Sequence, residues 1–302
     1  MSPPRPRLYF ANDCSDYHGG SWAVAEVIRR EARAAGWQVV PEKTRTTIEK
    51  DVLTGCDGVL VNGEGTLHRD KPRARHLMAL LAFAQRQGLA TALVNASWSR
   101  MGPDHVDTLC ALDVLDMREP ESAARIEAET GLRPPVYPDL SRQHPLSRPR
   151  GGRRKGMLVS DFYCAEFDAF VTLNGGPLAR EPQLHMRSID WKRTLKRVAG
   201  AELFVTGRFH GLLAALSTRT PFVAWAGNTD KVDAVLSWLG AGECLARTPD
   251  HLPVLAREWR DRSALYEAVF DRFEAMPAWR LTLRPPSADT RAAPARRAAH
   301  SA

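Results

Sequence analysis

The sequence predicts an α/β protein of two domains, each organised around a parallel sheet. Short apolar segments with strand composition alternate with helical segments, and polar loops join each strand to the helix that follows it. The 302 residues correspond to two domains at about 100–200 residues per domain. The Pro-, Arg- and Gly-rich stretch Ser141–Gly156 predicts a linker, so the expected domains are residues 1–140 and 157–283. Residues 284–302 have too little apolar content to fold and are expected to be disordered.

The first half is a series of strand–loop–helix units that starts with the strand Arg7–Ala11. Its other predicted elements are the strands Trp37–Val40, Asp57–Val61, Ala90–Asn95 and Asp113–Met117, and the helices Trp22–Ala35, Pro72–Arg86 and one that ends at Gly131.

Polar residues follow the first strand. Asn12, Asp13 and His18 are expected at its carboxyl end, where open α/β sheets bind their ligands. Paired glycines come next, but the pattern GxGxxG is absent, so this is not the dinucleotide-binding fingerprint. Asp13 fits a turn-forming role as well as a ligand-binding role, and both interpretations stay open.

The loop Asn62-Gly63-Glu64-Gly65 follows the clearest strand and leads to His68. Two glycines around one glutamate let the backbone approach a ligand and leave the carboxylate pointing into the crevice. A loop that only reverses the chain does not need this arrangement. A functional role is therefore favoured, with Glu64 as a candidate base.

The second half starts with the strand Met157–Ser160 and has its centre in Ala201–Thr218, an apolar strand, a break at Gly207 and a buried helix. Arg208 and His210 lie at this junction. The first helical turn has unpaired N–H groups and a partial positive charge, which favour an anion. Arg208 runs against the helix dipole, so the sequence predicts either a negative group in front of it or an ordinary surface arginine.

A second junction repeats this pattern. The strand Pro221–Ala226 ends at a polar loop in which Asn228 or Thr229 is the expected N-cap, and Lys231 then falls in the first turn of the helix Lys231–Leu239. Two such cations facing one crevice predict an anionic ligand that carries phosphate and carboxylate. The remaining predicted helices are Ser188–Ala199 and a long segment from Pro249.

The distribution of charge and of cysteines bears on the expected partners and on the cellular location of the protein. The net charge is +7, but the basic residues concentrate in the N-terminus, the linker and the C-terminal tail, so nucleic acid is not an expected partner. The tail arginines fit a solvated segment better than peripheral contact with anionic lipid. Five scattered cysteines form no CxxC pair, which favours reduced thiols and a cytoplasmic location. Neither a signal peptide nor a membrane span is expected.

Together these segments resemble the polysaccharide pyruvyl transferase family. The resemblance rests on LVNGEGTL, MREPES and Pro138-Asp139, and on VTGRFHGLLAALSTRTPFVAW followed by Lys231-Val232; TGRFHG is its most specific part. It implies two Rossmann-like domains in a GT-B-type arrangement with the active site in the cleft between them. It also implies transfer of the enolpyruvyl group of phosphoenolpyruvate onto two sugar hydroxyls as a cyclic ketal, with Arg208 binding the donor and His210 as general acid/base.

The expected site therefore has a donor side and an acceptor side. The donor side comprises Gly207, Arg208, Asn228, Thr229 and Lys231, and the acceptor side Asn12, Asp13, His18, Asn62, Gly63, Gly65 and His68. The loops 12–21 and 62–68 depart from the family's usual glycine pattern, so the acceptor, a glycan or a lipid-linked saccharide, is less defined than the donor. Neither a metal nor a cofactor is expected, and no metal-ligand cluster is visible in the sequence.

Two other functions remain open at this point. A GT-B glycosyltransferase would use Arg208 and Lys231 to hold the diphosphate of a nucleotide sugar, with Glu64 or Asp13 as the base. A binding protein for sugar or phosphate would keep the cleft without the chemistry.

Overall fold

The computed structural model describes residues 4–44, 46–148, 152–161, 168, 178–226 and 230–286. The first sheet consists of β1 (Arg7–Ala11), β2 (Gln38–Pro41), β3 (Gly58–Asn62), β4 (Ala90–Ala96) and β5 (Val114–Met117), in the spatial order β2-β1-β3-β4-β5. The second consists of β6 (Met157–Ser160), β7 (Gln183–Leu184), β8 (Leu203–Thr206), β9 (Phe222–Trp225) and β10 (Leu245–Ala246), in the order β10-β9-β8-β6-β7. Every strand pairing in both sheets is parallel.

Helices cover the faces of the sheets. In the first half they are α1 (Gly19–Ala34), α2 (Lys50–Leu53), α3 (Pro72–Arg86), α4 (Val106–Cys110) and α5 (Pro120–Thr130). In the second half the described helices are α6 (Trp191–Ala199), α7 (Phe209–Ser217), α8 (Lys231–Leu239), α9 (His251–Glu258) and α10 (Ser263–Ala275). Short 3-10 helices occupy Pro103–His105, Leu140–Gln143, Gly242–Cys244 and Trp259–Arg262. No described helix is both long enough and apolar enough to cross a membrane.

The two sheets share one topology, because reading the second from β7 to β10 repeats the order of the first. In each sheet the direction in which strands are added reverses at one place, between β1 and β3 in the first and between β6 and β8 in the second. Open α/β sheets bind ligands in the crevice at the carboxyl ends of the strands beside such a reversal. The predicted fold class is confirmed: the protein has two Rossmann-like domains in a GT-B-type arrangement.

Burial explains the strand and helix composition. All five residues of β3 are buried, as expected for a parallel strand that is covered on both faces. All nine residues of α7 are buried as well, in the core of the second sheet. The all-round apolar pattern that predicts a buried helix is thus confirmed for Phe209–Ser217.

Several boundaries differ from the predicted ones. α1 begins at Gly19 instead of Trp22, because His18 Nδ1 accepts a hydrogen bond from the N–H of Ser21 and caps the helix earlier. α6 begins at Trp191 instead of Ser188, with Asp190 as its cap. The residue before α8 is Asp230, whereas Asn228 and Thr229 lie outside the described residues.

The two ends of the second half also depart from expectation. The long helix predicted from Pro249 is two helices, α9 and α10, separated by a 3-10 turn. After α10 the chain returns to the first sheet: Trp279, Leu281 and Leu283 are buried in the same core as Leu8 and Phe10. The sequence assigns these three residues to the second domain, but their side chains complete the core of the first. The domain boundaries near 140 and 157 stay a prediction.

Candidate active site

A cavity of about 340 Å³ lies between the two topological reversals. Its lining residues come from the loops after β1, β3, β5 and β8, from the first turns of α1, α7 and α8, and from the segment before α6. They are Cys14, Tyr17, His18, Ser21, Glu64, Gly65, Thr66, Arg118, Met186, Arg187, Gly207, Arg208, Phe209, His210, Lys231 and Val232. The loop of Glu64 and the junction of Arg208 and His210, which the sequence predicts to share one cleft, both lie here.

His210 lies at the centre of the charged groups. It occupies the first turn of α7, and its side chain is 5% exposed. Its Nε2 atom is 3.6 Å from Glu64 Oε1 and 3.6 Å from Asp139 Oδ1, and its ring contacts the ring of His18 edge-on at 4.7 Å. Nε2 forms no hydrogen bond to any residue that the structure describes. An imidazole placed between two carboxylates can hold a proton and pass it to a neighbouring atom.

The carboxylate of Glu64 is held by its neighbours. Ser21 Oγ donates a hydrogen bond to Oε1 at 2.7 Å, and Asn62 Nδ2 donates one to Oε2 at 3.3 Å. The backbone N–H of Glu64 donates to Asn62 Oδ1 at 3.2 Å. Serine and asparagine therefore fix this carboxylate beside His210 instead of leaving it to swing into solvent.

The two glycines beside Glu64 have different structural reasons. A Cβ atom at Gly63 would lie 2.5 Å from the Cβ of Ala96, so this position must approach β4 closely. Gly65 has a φ of +57°, which glycine adopts most readily. A Cβ there would lie 3.9 Å from both Arg118 Nη2 and Lys231 Nζ, so Gly65 forms the wall next to two cations.

Four cationic side chains line the cavity, and three of them, Arg118, Arg208 and Lys231, follow strands of the two sheets. Arg208 is buried and donates from Nη2 to Asp161 Oδ2 at 2.8 Å, so its negative partner in the free protein is a carboxylate and it is no ordinary surface arginine. Arg118 is 1% exposed and donates to Asp139 Oδ2 at 3.2 Å, while its Nη2 has no acceptor among the described residues. Lys231 is half-buried and pairs with none of the described carboxylates.

Phe209 connects two of these cations. The guanidinium carbon of Arg118 lies 4.4 Å from the centre of the Phe209 ring, and Lys231 Nζ lies 5.6 Å from it. An aromatic face attracts cations through its quadrupole. Phe209, the residue between Arg208 and His210 in TGRFHG, therefore keeps two positive side chains at the cavity wall without neutralising them.

Burial and charge shift the pKa values of three groups in this site. Desolvation, together with the charge of Arg118, lowers the pKa of Lys231 to about 8. Desolvation, with His210, Arg208 and Lys231 nearby, keeps the pKa of His18 far below its usual value, so this imidazole is neutral. Burial alone would raise the pKa of Asp139, but His210, Arg118 and Ser141 outweigh it and hold that pKa below its ordinary range.

The fold also creates a group of possible metal ligands that the sequence spacing does not reveal. His18, Glu64 and His210 each bring one ligand atom within 4.8 Å of the others. Two histidines and one carboxylate are a donor set that zinc accepts. However, His18 Nδ1 accepts a hydrogen bond from the N–H of Ser21, which places the imidazole proton on Nε2 and disfavours that atom as a ligand. The expectation that the reaction needs no metal stays a prediction.

Several residues predicted for the site lie beside the cavity. Asn12 is buried with a φ of 59° and donates to the carbonyl of Asn62, so it supports the Glu64 loop. The carboxylate of Asp13 pairs with Arg29 on α1 and does not line the cavity. His68 lines a small adjoining space behind Arg118 and Lys231. Asn228 and Thr229 lie outside the described residues, so their predicted donor contacts stay predictions.

Four residues near the centre carry no predicted role: Ser21, Arg118, Asp139 and Asp161. Arg118 follows directly after β5 and Asp161 directly after β6. Both positions are at the carboxyl end of a strand, as Arg208 is, so the rule that open α/β sheets bind ligands there predicts both residues. Ser21 lies in the first turn of α1, whereas the sequence predicts that the helix begins only at Trp22. Asp139 lies outside the sheet, and its approach to His210 depends on the fold of the whole chain.

Comparisons with known proteins agree with this architecture. A structure of a functionally uncharacterised protein from Klebsiella pneumoniae superposes with a TM-score of 0.54 at 13% identity, covering 81% of this chain and 93% of that one. A protein from Listeria monocytogenes assigned as a UDP-N-acetylglucosamine 2-epimerase superposes with a TM-score of 0.54 at 10% identity, covering 89% and 91%. At such identities the likeness concerns the fold alone.

Sequence comparison is more specific. No curated protein gives a significant match to the chain. The model of the family described as polysaccharide pyruvyl transferase matches residues 3–228, which include both loops that face each other across the cavity. Since this match spans well over half of the chain, the protein belongs to the polysaccharide pyruvyl transferase family.

Proposed function

We propose that this enzyme transfers the enolpyruvyl group of phosphoenolpyruvate to a saccharide of a cell-surface polysaccharide precursor, free or lipid-linked, and forms a pyruvate ketal. The observation that carries the proposal is the convergence of three cations, Arg118, Arg208 and Lys231, with the His210–Glu64 pair around one cavity. The cations match a small ligand with several negative charges. The pair matches a reaction that moves protons.

The donor has two anionic groups, a carboxylate and a phosphate. A guanidinium can bind either group through two parallel hydrogen bonds, and Arg118 Nη2 is a buried donor with no acceptor among the described residues. Lys231 supplies a further positive charge beside it. The N–H groups at the start of α7 add a partial positive charge on the same side. Donor binding at this wall would place the enol carbon towards His210 and Glu64.

The reaction needs two additions at one carbon. A first sugar hydroxyl forms a bond to C2 of phosphoenolpyruvate and loses its proton to a base, while C3 takes a proton and becomes a methyl group. The bond from C2 to the phosphate oxygen then breaks, and its electron pair leaves with the phosphate. A second hydroxyl forms the second C–O bond and loses its proton. The products are the cyclic ketal and inorganic phosphate, and no redox change occurs.

We assign the proton to C3 to His210 and the removal of a hydroxyl proton to Glu64. Their atoms Nε2 and Oε1 are 3.6 Å apart, so a proton accepted by one can return to the other between the two additions. Asp139, which His210 also approaches, would hold the imidazole in orientation and stabilise its charged form. His18 stays neutral beside it and would not compete for the proton.

The experiment that tests this function combines binding and chemistry. Phosphoenolpyruvate should raise the melting temperature of the protein, and incubation with it and a panel of glycan precursors should release inorganic phosphate and add a pyruvate ketal, detected by mass. Stabilisation by nucleotide sugars but not by phosphoenolpyruvate would favour a glycosyltransferase instead. Stabilisation by glycan alone, without phosphate release, would indicate a binding protein.

Variants at the TGRFHG turn separate donor binding from catalysis. His210→Ala and His210→Asn should keep donor affinity and lower turnover roughly a hundredfold to ten-thousandfold, because neither side chain can carry the proton. Arg208→Lys should weaken donor binding while leaving the proton chemistry in place. If both His210 variants instead lost melting temperature and activity together, the residue would have a structural role. Full activity of His210→Ala would show that His210 is not part of the mechanism, and Glu64 would then be the remaining candidate for the acid/base group.

A further inference from the structure

Two large exposed hydrophobic side chains lie near the active site: Tyr17 lines the active-site cavity, and Trp22 lines a groove beside it. Tyr17 is 40% exposed and Trp22 is 36% exposed, and among the described residues they are the most exposed of their kind. Both belong to the segment that runs from the loop after β1 into the first turn of α1. Scattered exposed hydrophobic residues are common, but these two line neighbouring spaces that share His18 and Arg187.

Trp22 lines a groove of about 570 Å³ beside the active-site cavity. His18 and Arg187 line both spaces, so the groove and the cavity are direct neighbours. The groove is lined by Ser15, Asp16, His18, Gly19, Trp22, Leu146, Arg187, Ser188, Ile189, Asp190, Trp191 and Lys192. It lies between the first turn of α1 and the residues that lead into α6.

Both aromatic rings are held in place. The guanidinium of Arg187 lies 5.0 Å from the centre of the Tyr17 ring and donates a hydrogen bond to its hydroxyl. The ring of Trp22 packs against the ring of His144 at 4.9 Å. Rigid aromatic faces give contact area at a small cost in conformational entropy. The two aromatic rings are therefore pre-organised in the free protein.

The lining identifies the class of ligand. The acidic Asp16 and Asp190 are matched by the basic Arg187 and Lys192, so the groove does not favour a polyanion. Serine hydroxyls, carboxylates and cationic side chains next to flat aromatic faces suit a neutral ligand with hydroxyls on its edge and C–H groups on its face. A sugar ring has that character, whereas a lipid chain would leave these polar groups without partners.

We propose that this groove binds the sugar units of the acceptor that adjoin the unit receiving pyruvate, with Trp22 as a stacking face in the groove and Tyr17 lining the neighbouring cavity. The assignment rests on the proposed function in one respect, that the acceptor is a saccharide. It makes the enzyme selective for an oligosaccharide over a single sugar. The reacting sugar lies at Glu64 and His210, and its neighbours extend along α1.

The test compares saccharides of different length on the wild-type protein and on Trp22→Ala, Tyr17→Ala and Trp22→Phe. Binding is measured on a glycan array that carries matched series from one to six units of the same sugar. We expect the wild type to prefer the longer members, and each alanine variant to lose roughly tenfold in affinity for them. Affinity for the single sugar should stay unchanged in both Trp22 variants, because Trp22 does not line the cavity that holds the reacting sugar. Trp22→Phe keeps an aromatic face and should retain most of the preference.

The outcomes separate this proposal from the proposed reaction. If both alanine variants keep the preference for longer saccharides, or if the wild type binds no saccharide, the proposal that the groove binds acceptor sugars is wrong. Phosphoenolpyruvate binding is measured in parallel by thermal shift, and it should be equal in the wild type and both Trp22 variants, because Trp22 does not line the active-site cavity. Length-dependent binding without pyruvyl transfer would support saccharide binding in the groove and contradict the proposed reaction.

Discussion

At the scale of the residue, Lys231 bears a charge that no carboxylate among the described residues neutralises in an ion pair. Desolvation and Arg118 lower its pKa to about 8, below the value it has in the unfolded chain. The unfolded chain therefore binds more protons between about pH 8 and the usual lysine pKa, and the free energy of unfolding rises with pH in that window. At neutral pH the charged ammonium lowers stability, and a bound anion would remove that penalty.

This shift predicts how donor affinity depends on pH. The Kd for phosphoenolpyruvate should rise roughly tenfold between pH 7.5 and 9.5, because Lys231 loses its proton in this range while the phosphate is already fully ionised. The measurement is calorimetric titration at constant ionic strength. Lys231→Arg, which keeps its charge, should show a flat profile with tight binding. Lys231→Met should show a flat profile with weak binding and a higher melting temperature of the free protein.

An equally steep profile in Lys231→Met would assign the pH dependence to another group. A flat profile in the wild type would show that Lys231 does not contact the donor.

At the scale of the element, the start of α1 joins the two domains beside His210. A Cβ atom at Gly20 would lie 2.3 Å from Cγ of His210, and one at Gly19 would lie 2.5 Å from the backbone nitrogen of Trp191. These two glycines allow a helix of the first domain to lie directly on α6 and α7 of the second. The paired glycines of HGGS thus leave the space that the imidazole of His210 and the start of α6 occupy.

Gly20→Ala should therefore impair catalysis more than stability. The added methyl group must displace the imidazole, which separates it from Glu64, whereas alanine favours the helix by about 1 kcal/mol over glycine. Turnover should fall at least tenfold, with donor affinity nearly unchanged. Gly242→Ala is the matched control, since nothing lies within 4 Å of a Cβ there, and it should be silent. Normal turnover in Gly20→Ala would mean that His210 tolerates another position.

The elements that the sequence predicts best have local end signals. α3 has its predicted bounds, Pro72–Arg86, because proline begins it and Gly88 follows. α8 also has its predicted bounds, and Gly240 ends it in the left-handed conformation. The start of α1 was missed because its two glycines are read locally as a loop, and only the contact with the second domain explains them.

The same distinction applies to the candidate site. Glu64, Arg208, His210 and Lys231 follow strands, and the carboxyl ends of parallel strands meet at one edge, so their convergence follows from the order of elements. The pairing of Arg118 with Asp139 was not predictable in this way. It joins two residues that lie close only after the chain beyond α5 has folded back, and no spacing rule encodes that distance.

At the scale of the whole molecule, the chain crosses between the domains twice. The first crossing follows the 3-10 turn Leu140–Gln143, where Ser141 is fully buried, so the beginning of the predicted linker is packed against the protein. The second crossing follows α10 and brings Trp279 into the first core. Two connections restrict how the domains can separate more than one connection would.

The second crossing yields a prediction about truncation. A chain that ends after Pro286 should unfold like the full chain, because the sequence beyond it has too little apolar content to add to a core. A chain that ends after Met276 should lose stability, since it removes Trp279, Leu281 and Leu283 from the first core and the acceptor that Leu283 offers to Trp37 Nε1 at 3.0 Å. The melting temperatures of the two truncated chains test this.

A single substitution locates the effect. Trp279→Ala should cost about 3–5 kcal/mol in the free energy of unfolding, because it leaves a cavity in the core of the first sheet. It also removes the indole N–H that donates to Asp116 Oδ2 at 2.8 Å, a carboxyl whose pKa burial raises to about 6. Trp279→Phe fills much of the cavity but lacks that donor, so it should recover part of the loss. If the chain ending after Met276 melted like the chain ending after Pro286, the returning segment would not be part of the first core, and the second connection between the domains would have to be abandoned.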